Sequence, residues 1–180
     1  VNPGTDVEES RRAIALAEKH PQVYACVGFH PHDARKATDR SLKEIEELSK
    51  HPRVVAIGEI GLDFHYDFSP RDVQARVFRE QIEIAQHRNL PIVIHTRESN
   101  EETIKIVEEA LAGAPLWRSQ MATQHSRYPA PKGVFHCFSG DPALAWKVIN
   151  LGFYVSLPGV VTFKNAGFAA DVASQVSVEH

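Results

Sequence analysis

The chain has 180 residues, 43% apolar and 24% charged, with a formal net charge of −3. That is enough for one substantial core and too short to need two domains, and the composition is ordinary for a soluble globular protein. No basic stripe advertises nucleic acid, so such a partner has to be recognised locally, at a site. No signal peptide is found, and no apolar stretch is long enough to cross a bilayer. Cys26 and Cys137 both lie in apolar strand-like runs and read as buried free thiols of a reducing compartment. The expectation is a cytoplasmic protein with no membrane contact and no obligate protein partner.

In chain order, short apolar runs alternate with helical patterns. The runs are residues 22–29, 54–58, 91–94, 134–138 and 153–157, each rich in β-branched or aromatic residues, the signature of strands buried on both faces. Between them, Thr5 with Glu8 and Ser41 with Glu44 read as capping boxes. Ser69-Pro70 and Asp141-Pro142 each place a capping side chain before a proline at the first helical position. Val73, Val77, Phe78, Ile82 and Ala85 form one stripe of a helix packed on a sheet. Gly152 ends the helix capped by Asp141.

Strand and helix alternating without hairpin signals means a parallel sheet. No strand leads into a glycine-rich dinucleotide loop. Polar residues stand at the C-terminal end of strand after strand, where a β/α barrel gathers its catalytic groups. The predicted fold class is therefore α/β, a TIM-type β/α barrel, as one domain over residues 1–180. The stretch 112–132 is read as a surface excursion.

Ten histidines are present. His20 and His51 suit helix C-termini, His87 sits near another, His125 is in the irregular stretch, and His180 is terminal. His30, His32, His65, His95 and His136 fall at or just past strand ends. His95 and His136 follow apolar strand residues, where a buried imidazole needs partners for both nitrogens. Glu59 follows Val54 to Gly58 and would be costly to bury alone. One such residue would prove nothing; three at successive strand ends converge on one face of a barrel, which points to a metal site. There Glu59 can bridge two ions, while His95 and His136 give neutral nitrogen ligands and a held water becomes a nucleophile near neutral pH. Arg97, two residues past His95, points the same way along an extended strand, and its donor fork fits a phosphate. A surface ion pair with Glu98 or Glu102 is the plainer alternative.

Gly-Phe-His-Pro-His at 28–32, Ile-Gly-Glu-Ile-Gly-Leu-Asp-Phe at 57–64, His-Thr-Arg at 95–97, His-Cys-Phe-Ser-Gly at 136–140 and Gly-Val-Val-Thr-Phe-Lys-Asn at 159–165 resemble the TatD-type metal-dependent deoxyribonucleases. The resemblance implies a metallo-dependent hydrolase that cleaves phosphodiester bonds of DNA. It implies Glu59 bridging two divalent ions and His95 and His136 binding one of them. His30 and His32 would line the site beside Glu59 as catalytic residues, and Asp63 and His65, with Arg97, would contact substrate. Magnesium is the expected ion on the resemblance, and zinc or manganese on ligand softness.

The family pattern also has a His-x-His pair on its first strand and an aspartate on its last, and neither is present. The expectation is a part of a longer product that lacks the barrel's first and last strands, since such barrels take about 250 residues. Weak or no activity is expected of this chain alone. Two rivals stand beside this reading. An amidohydrolase-like barrel commonly uses a carboxylated lysine where Glu59 stands, and a non-catalytic scaffold has no need of three costly polar strand ends.

Overall fold

A computed structural model describes residues 1–117 and 130–177. Six parallel strands lie in the order β1-β2-β3-β4-β5-β6, so every strand pairs with its neighbours in sequence. They are β1 (Asn2–Pro3), β2 (Ala25–Val27), β3 (Val54–Asp63), β4 (Ile92–Arg97), β5 (Gly133–Phe135) and β6 (Phe153–Val155). The helices are α1 (Val7–Lys19), α2 (Asp39–Leu48), α3 (Arg71–Arg88), α4 (Asn100–Gly113), α5 (Pro142–Asn150) and α6 (Phe168–Gln175). Short 3-10 turns occupy Pro31–Lys36 and Gly159–Thr162.

This order decides between the two parallel architectures. A doubly wound sheet reverses its order at a switch point, and this sheet never does. Crossovers of one hand, always advancing one strand, curl the sheet into a barrel wall with its helices outside. Among the described residues β1 pairs with β2 and β6 with β5, so the wall is an open arc.

Aromatic and branched side chains fill the space between wall and helices. Phe78, Phe135, Phe153, Ile57, Ile60, Ile82 and Ile94 are essentially inaccessible, and each such burial is worth about 1.5–3 kcal/mol. The stripe expected of α3 is present: Val77, Phe78, Ile82 and Ala85 are buried, with Val73 partly so. Gln74 and Gln81 share that buried face. Among the described residues no helix is long and apolar enough to cross a membrane.

Several local expectations need correction. Asp6, not Thr5, caps α1, its side chain accepting from the Glu9 amide. Thr38 caps α2, and Ser41 is the third residue of a reciprocal box instead of its start. At α3 the capping position falls on Pro70, and Ser69 turns its hydroxyl elsewhere. Asp141 does cap α5, accepting from the Leu144 amide at 2.8 Å, and Gly152 follows that helix with φ +92°. The strand expected over 22–29 shortens to Ala25–Val27, whereas β3 runs five residues past Gly58, to Asp63. Cys26 is buried as expected, but Cys137 is exposed in a turn with φ +47°. Of the 112–132 excursion, residues 118–129 lie outside the described residues.

Gly61 explains how the longer β3 can hug β4. It pairs with His95, and a side chain at its φ of +139° would meet the His95 carbonyl oxygen at 2.0 Å. Only glycine permits that approach, and the approach brings the two site-bearing strands together.

Candidate metal centre

Alternation along β3 puts Glu59, Gly61 and Asp63 on one face, opposite the face that Ile60 and Leu62 bury in the core. His95, on the neighbouring strand, links the two carboxylates. Its Nδ1 lies 3.2 Å from Glu59 Oε1 and its Nε2 lies 2.9 Å from Asp63 Oδ2. His136, just past β5, places Nδ1 3.1 Å from the same Glu59 oxygen. His32 donates from Nε2 to Asp63 Oδ2 at 2.9 Å. His30 packs edge-on between the rings of His32 and His95, with centroids 4.4 and 4.5 Å away.

Two three-residue groups therefore have ligand atoms mutually within 4.8 Å: His30, Glu59 and His95, and His32, Asp63 and His95. Donors 2.0–2.2 Å from a shared ion lie up to ~4 Å apart, so small side-chain adjustments close either group on a cation. The donors are imidazole nitrogen and carboxylate oxygen without thiolate, a set that suits zinc or manganese and accommodates harder divalent ions through its carboxylates. His136 belongs to neither group and joins the cluster through Glu59.

Burial opposes the ionised carboxylates, yet the hydrogen bonds win. Desolvation alone would raise Glu59, but its bonds from His95 and His136 hold the carboxyl at about 2. Asp63 is completely inaccessible. Desolvation pushes it up too, and the Tyr66 amide with His95 and His32 holds it at about 2. Burial pulls His95 down, and its two carboxylate partners more than offset that, leaving it above the ordinary imidazole value. His30 moves the other way, to about 4, through desolvation and the neighbouring His95. Its Nδ1 accepts from the His32 amide at 3.2 Å. A neutral imidazole that accepts at Nδ1 carries its proton on Nε2, so His30 offers the site a donor.

The supports of this cluster are invisible to a search for catalytic motifs. Gln81, fully buried on α3, accepts from the Phe29 amide at 2.6 Å and donates to the Phe29 carbonyl at 3.1 Å. It thereby clamps the backbone just before His30. Two turns earlier, Gln74 accepts from the Asp63 amide at 2.8 Å and donates to the Asp63 carbonyl at 3.1 Å. Ser69 donates to the His32 carbonyl at 2.9 Å. Helix α3 and the residues leading into it thus fix the turn that carries His30 and His32 and the end of β3 that carries Asp63. The signal available in sequence was a pair of glutamines seven apart on the apolar stripe of α3, positions that elsewhere hold Val or Ile.

The remaining candidates sit at the rim. Arg97 is exposed, with its guanidinium 4.7 Å over the ring of Tyr66. Neither of the acids considered for it is its partner: Glu98 pairs with His65 at 2.7 Å, and Glu102 lies near Arg79 and Lys105. His65 stands outside the cluster, edge-on to Tyr66. Asp63, expected to meet substrate, reaches one only through the imidazoles that enclose it. A cavity of about 450 Å³ opens beside the cluster, lined by His95, Arg97, His136, Val160 and Phe168 among others.

Comparison with known proteins shows which family the chain is similar to. A family model described as "TatD related DNase" matches residues 1–180. An uncharacterized metal-dependent hydrolase, YabD of Bacillus subtilis, is 40% identical over 173 residues, covering 96% of this chain and 62% of its own length. The 3'-5' ssDNA/RNA exonuclease TatD of Salmonella typhimurium is 31% identical over 164 residues, covering 91% of this chain and 57% of its own length. The crystal structure of YJJV, a TatD homologue from Escherichia coli, superposes with a TM-score of 0.82 at 28% identity, over 97% of this chain and 62% of that one. The chain thus spans about three fifths of the proteins it matches. With the family model matched from end to end and the same barrel wall in a solved relative, the chain belongs to the TatD-related DNase family.

Proposed function

We propose that this protein hydrolyses phosphodiester bonds of DNA with a divalent ion held on Glu59, His95 and His136, and that Glu59 can hold a second ion. The observation that carries the reading is the cluster itself. Two carboxylates and three imidazoles, on β3, β4 and the turns after β2 and β5, are joined through Glu59 Oε1 and Asp63 Oδ2. Such a group is expensive to assemble and has no structural purpose that an apolar core would not serve better. Magnesium is the expected ion for phosphate chemistry, with manganese or zinc favoured by the imidazoles.

A divalent ion bound there supplies positive charge to the phosphate oxygens and makes water a better nucleophile near neutral pH. The chain's own residues do the rest. Hydrogen bonds from His95 and His136 hold the Glu59 carboxyl at about 2, so near neutral pH it is ionised and can receive a cation. His30, neutral and protonated on Nε2, donates to a phosphate oxygen or the leaving oxygen. His32 is oriented by Asp63 for the same surface. Arg97, free of the acids beside it, offers its fork to the next phosphate along the strand. His65 lies further out and reaches only a longer substrate.

DNA is preferred on the family's description, and the exonuclease name carried by the Salmonella relative extends the reading to single-stranded ends of DNA or RNA. The 180-residue chain by itself is expected to be slow. Among the described residues its cluster contains two carboxylates, of which Asp63 is enclosed by imidazoles, and a two-ion site has to neutralise more charge than Glu59 alone supplies. The direct experiment is cleavage of an end-labelled single-stranded oligonucleotide by the purified chain with manganese. No cleavage, or slow cleavage below the ~1 s⁻¹ floor of ordinary enzymes that disappears with a chelator, is the expected result. Cleavage that persists undiminished in the chelator would overturn the metal-dependent reading, and a rate in the ordinary enzyme range would overturn the expectation of weakness. Hydrolysis of amides or lactones in place of DNA would favour an amidohydrolase.

A further inference from the structure

Beyond the end of β3, two exposed aromatic rings take no part in the chemistry above. Tyr66 and Phe68 are 47% and 54% exposed, and they stack on one another, with centroids 5.2 Å apart and planes inclined by 17°. Single exposed aromatics need no explanation. A stacked pair one ring away from a cluster of ionisable groups does. Tyr66 also carries the Arg97 guanidinium at 4.7 Å. The His32 ring meets Tyr66 and Phe68 edge-on at 5.4 and 4.9 Å, and the same imidazole bonds Asp63 at 2.9 Å.

The pair is also held in place. Asp67, between the two rings, adopts φ +51°. Its carboxylate receives Arg71 Nε at 3.0 Å and a terminal guanidinium nitrogen at 2.7 Å, and that nitrogen also reaches the Phe64 carbonyl at 3.2 Å. The turn presents its rings already ordered, so little freedom is lost when a flat ligand settles on them. What surrounds the rings selects the ligand. Arg97 places a cationic fork on the Tyr66 ring, and the carboxylates nearby are already engaged, Asp63 by imidazoles and Asp67 by Arg71. A planar ring joined to an anion fits this surface, and that is a nucleotide with its base unpaired.

We propose that Tyr66 and Phe68 form a stacking platform for an unpaired nucleobase at the end of the substrate, with Arg97 on the adjoining phosphate, so that frayed or single-stranded ends enter in preference to duplex. This rests on the phosphodiesterase reading for its substrate class. In a duplex an internal base has both faces covered and a terminal base stays tied to its partner strand, so an unpaired base is the one that can turn onto the platform while its phosphate meets Arg97.

The test is binding of a fluorescein-labelled single-stranded 12-mer in the presence of EDTA, followed by anisotropy, so that no cleavage intervenes. Phe68→Ala is expected to weaken binding about 5- to 100-fold, the range that stacking on one aromatic side chain provides. Phe68→Trp restores it, while Phe68→Leu, apolar but without a π-face, does not. A 12-mer whose terminal nucleotide is abasic loses a comparable factor, and Phe68→Ala then adds no further loss. No measurable binding by the unsubstituted chain, equal binding by the alanine variant, or full binding by the leucine variant overturns the platform. Phe68-dependent binding in a chain that hydrolyses amides or lactones in place of DNA would leave the platform standing and remove the phosphodiesterase reading. Cleavage with Phe68-independent binding would do the reverse.

Discussion

Replacing Glu59 by glutamine lowers the affinity of this chain for manganese at least ~100-fold, measured by calorimetric titration at neutral pH. Glutamine keeps the shape of the side chain and removes its charge. In the native site that charge is largely buried, with the side chain 12% exposed, and it is stabilised by His95 and His136 strongly enough to hold the carboxyl at about 2. Changes in residues that merely orient a ligand already cost 10–100-fold in metal affinity, so loss of a charged donor at the centre of the cluster has to cost at least as much. The glutamine amide would also turn donor atoms toward imidazoles that now face an acceptor, so cation and hydrogen bonds are lost together. Unchanged manganese affinity in this variant would mean that the cluster is structural, and the non-catalytic scaffold would become the better reading.

Asp63→Asn is expected to destabilise the metal-free protein by about 3–5 kcal/mol, the usual cost of removing one partner from a buried charged group. Asp63 is 0% exposed. One of its oxygens accepts from His32 and His95, both at 2.9 Å, and the other from the amides of Tyr66 and His65 at 2.9 and 3.1 Å. Asparagine has one accepting oxygen, so whichever way the amide turns, two donors are left facing an NH₂ group. The loss is read from the midpoint of urea unfolding at constant slope. A change under about 1 kcal/mol would show that the imidazoles rearrange without Asp63, and that it does not hold them in place.

These two carboxylates were not equally legible. Glu59 stands out in sequence because it interrupts an apolar run. Asp63 stands out less, because the apolar run ends at Gly58 and leaves it beyond the expected strand. Glycine at 58 and 61 and two acids depress the strand signal, yet β3 continues to Asp63 because tertiary pairing with β4 outweighs local propensity. Period-2 alternation continued past Gly58 puts Glu59 and Asp63 on the same face. The barrel wall itself was readable, because buried parallel strands are short apolar runs and their order needs only helices between them. Helix starts were less so: Thr5, Ser41 and Ser69 each had a plausible capping pattern, and a neighbouring side chain or proline took the position. Gln74 and Gln81 were missed for a different reason. Polar residues on an apolar stripe are noise until the structure shows which amide they hold, here those of Asp63 and Phe29. The Tyr66–Phe68 stack was likewise hidden, because its geometry depends on the left-handed turn at Asp67.

The central claim is that Glu59 and His95 share a divalent ion. Anomalous diffraction from crystals of the chain soaked in manganese tests it directly. The account predicts a peak about 2.0–2.4 Å from a Glu59 oxygen and from one His95 nitrogen, the range of such bonds, with a third donor from His136 or the Asp63–His32 pair. A manganese peak bound elsewhere, or none within bonding distance of Glu59 in a well-occupied soak, would contradict it.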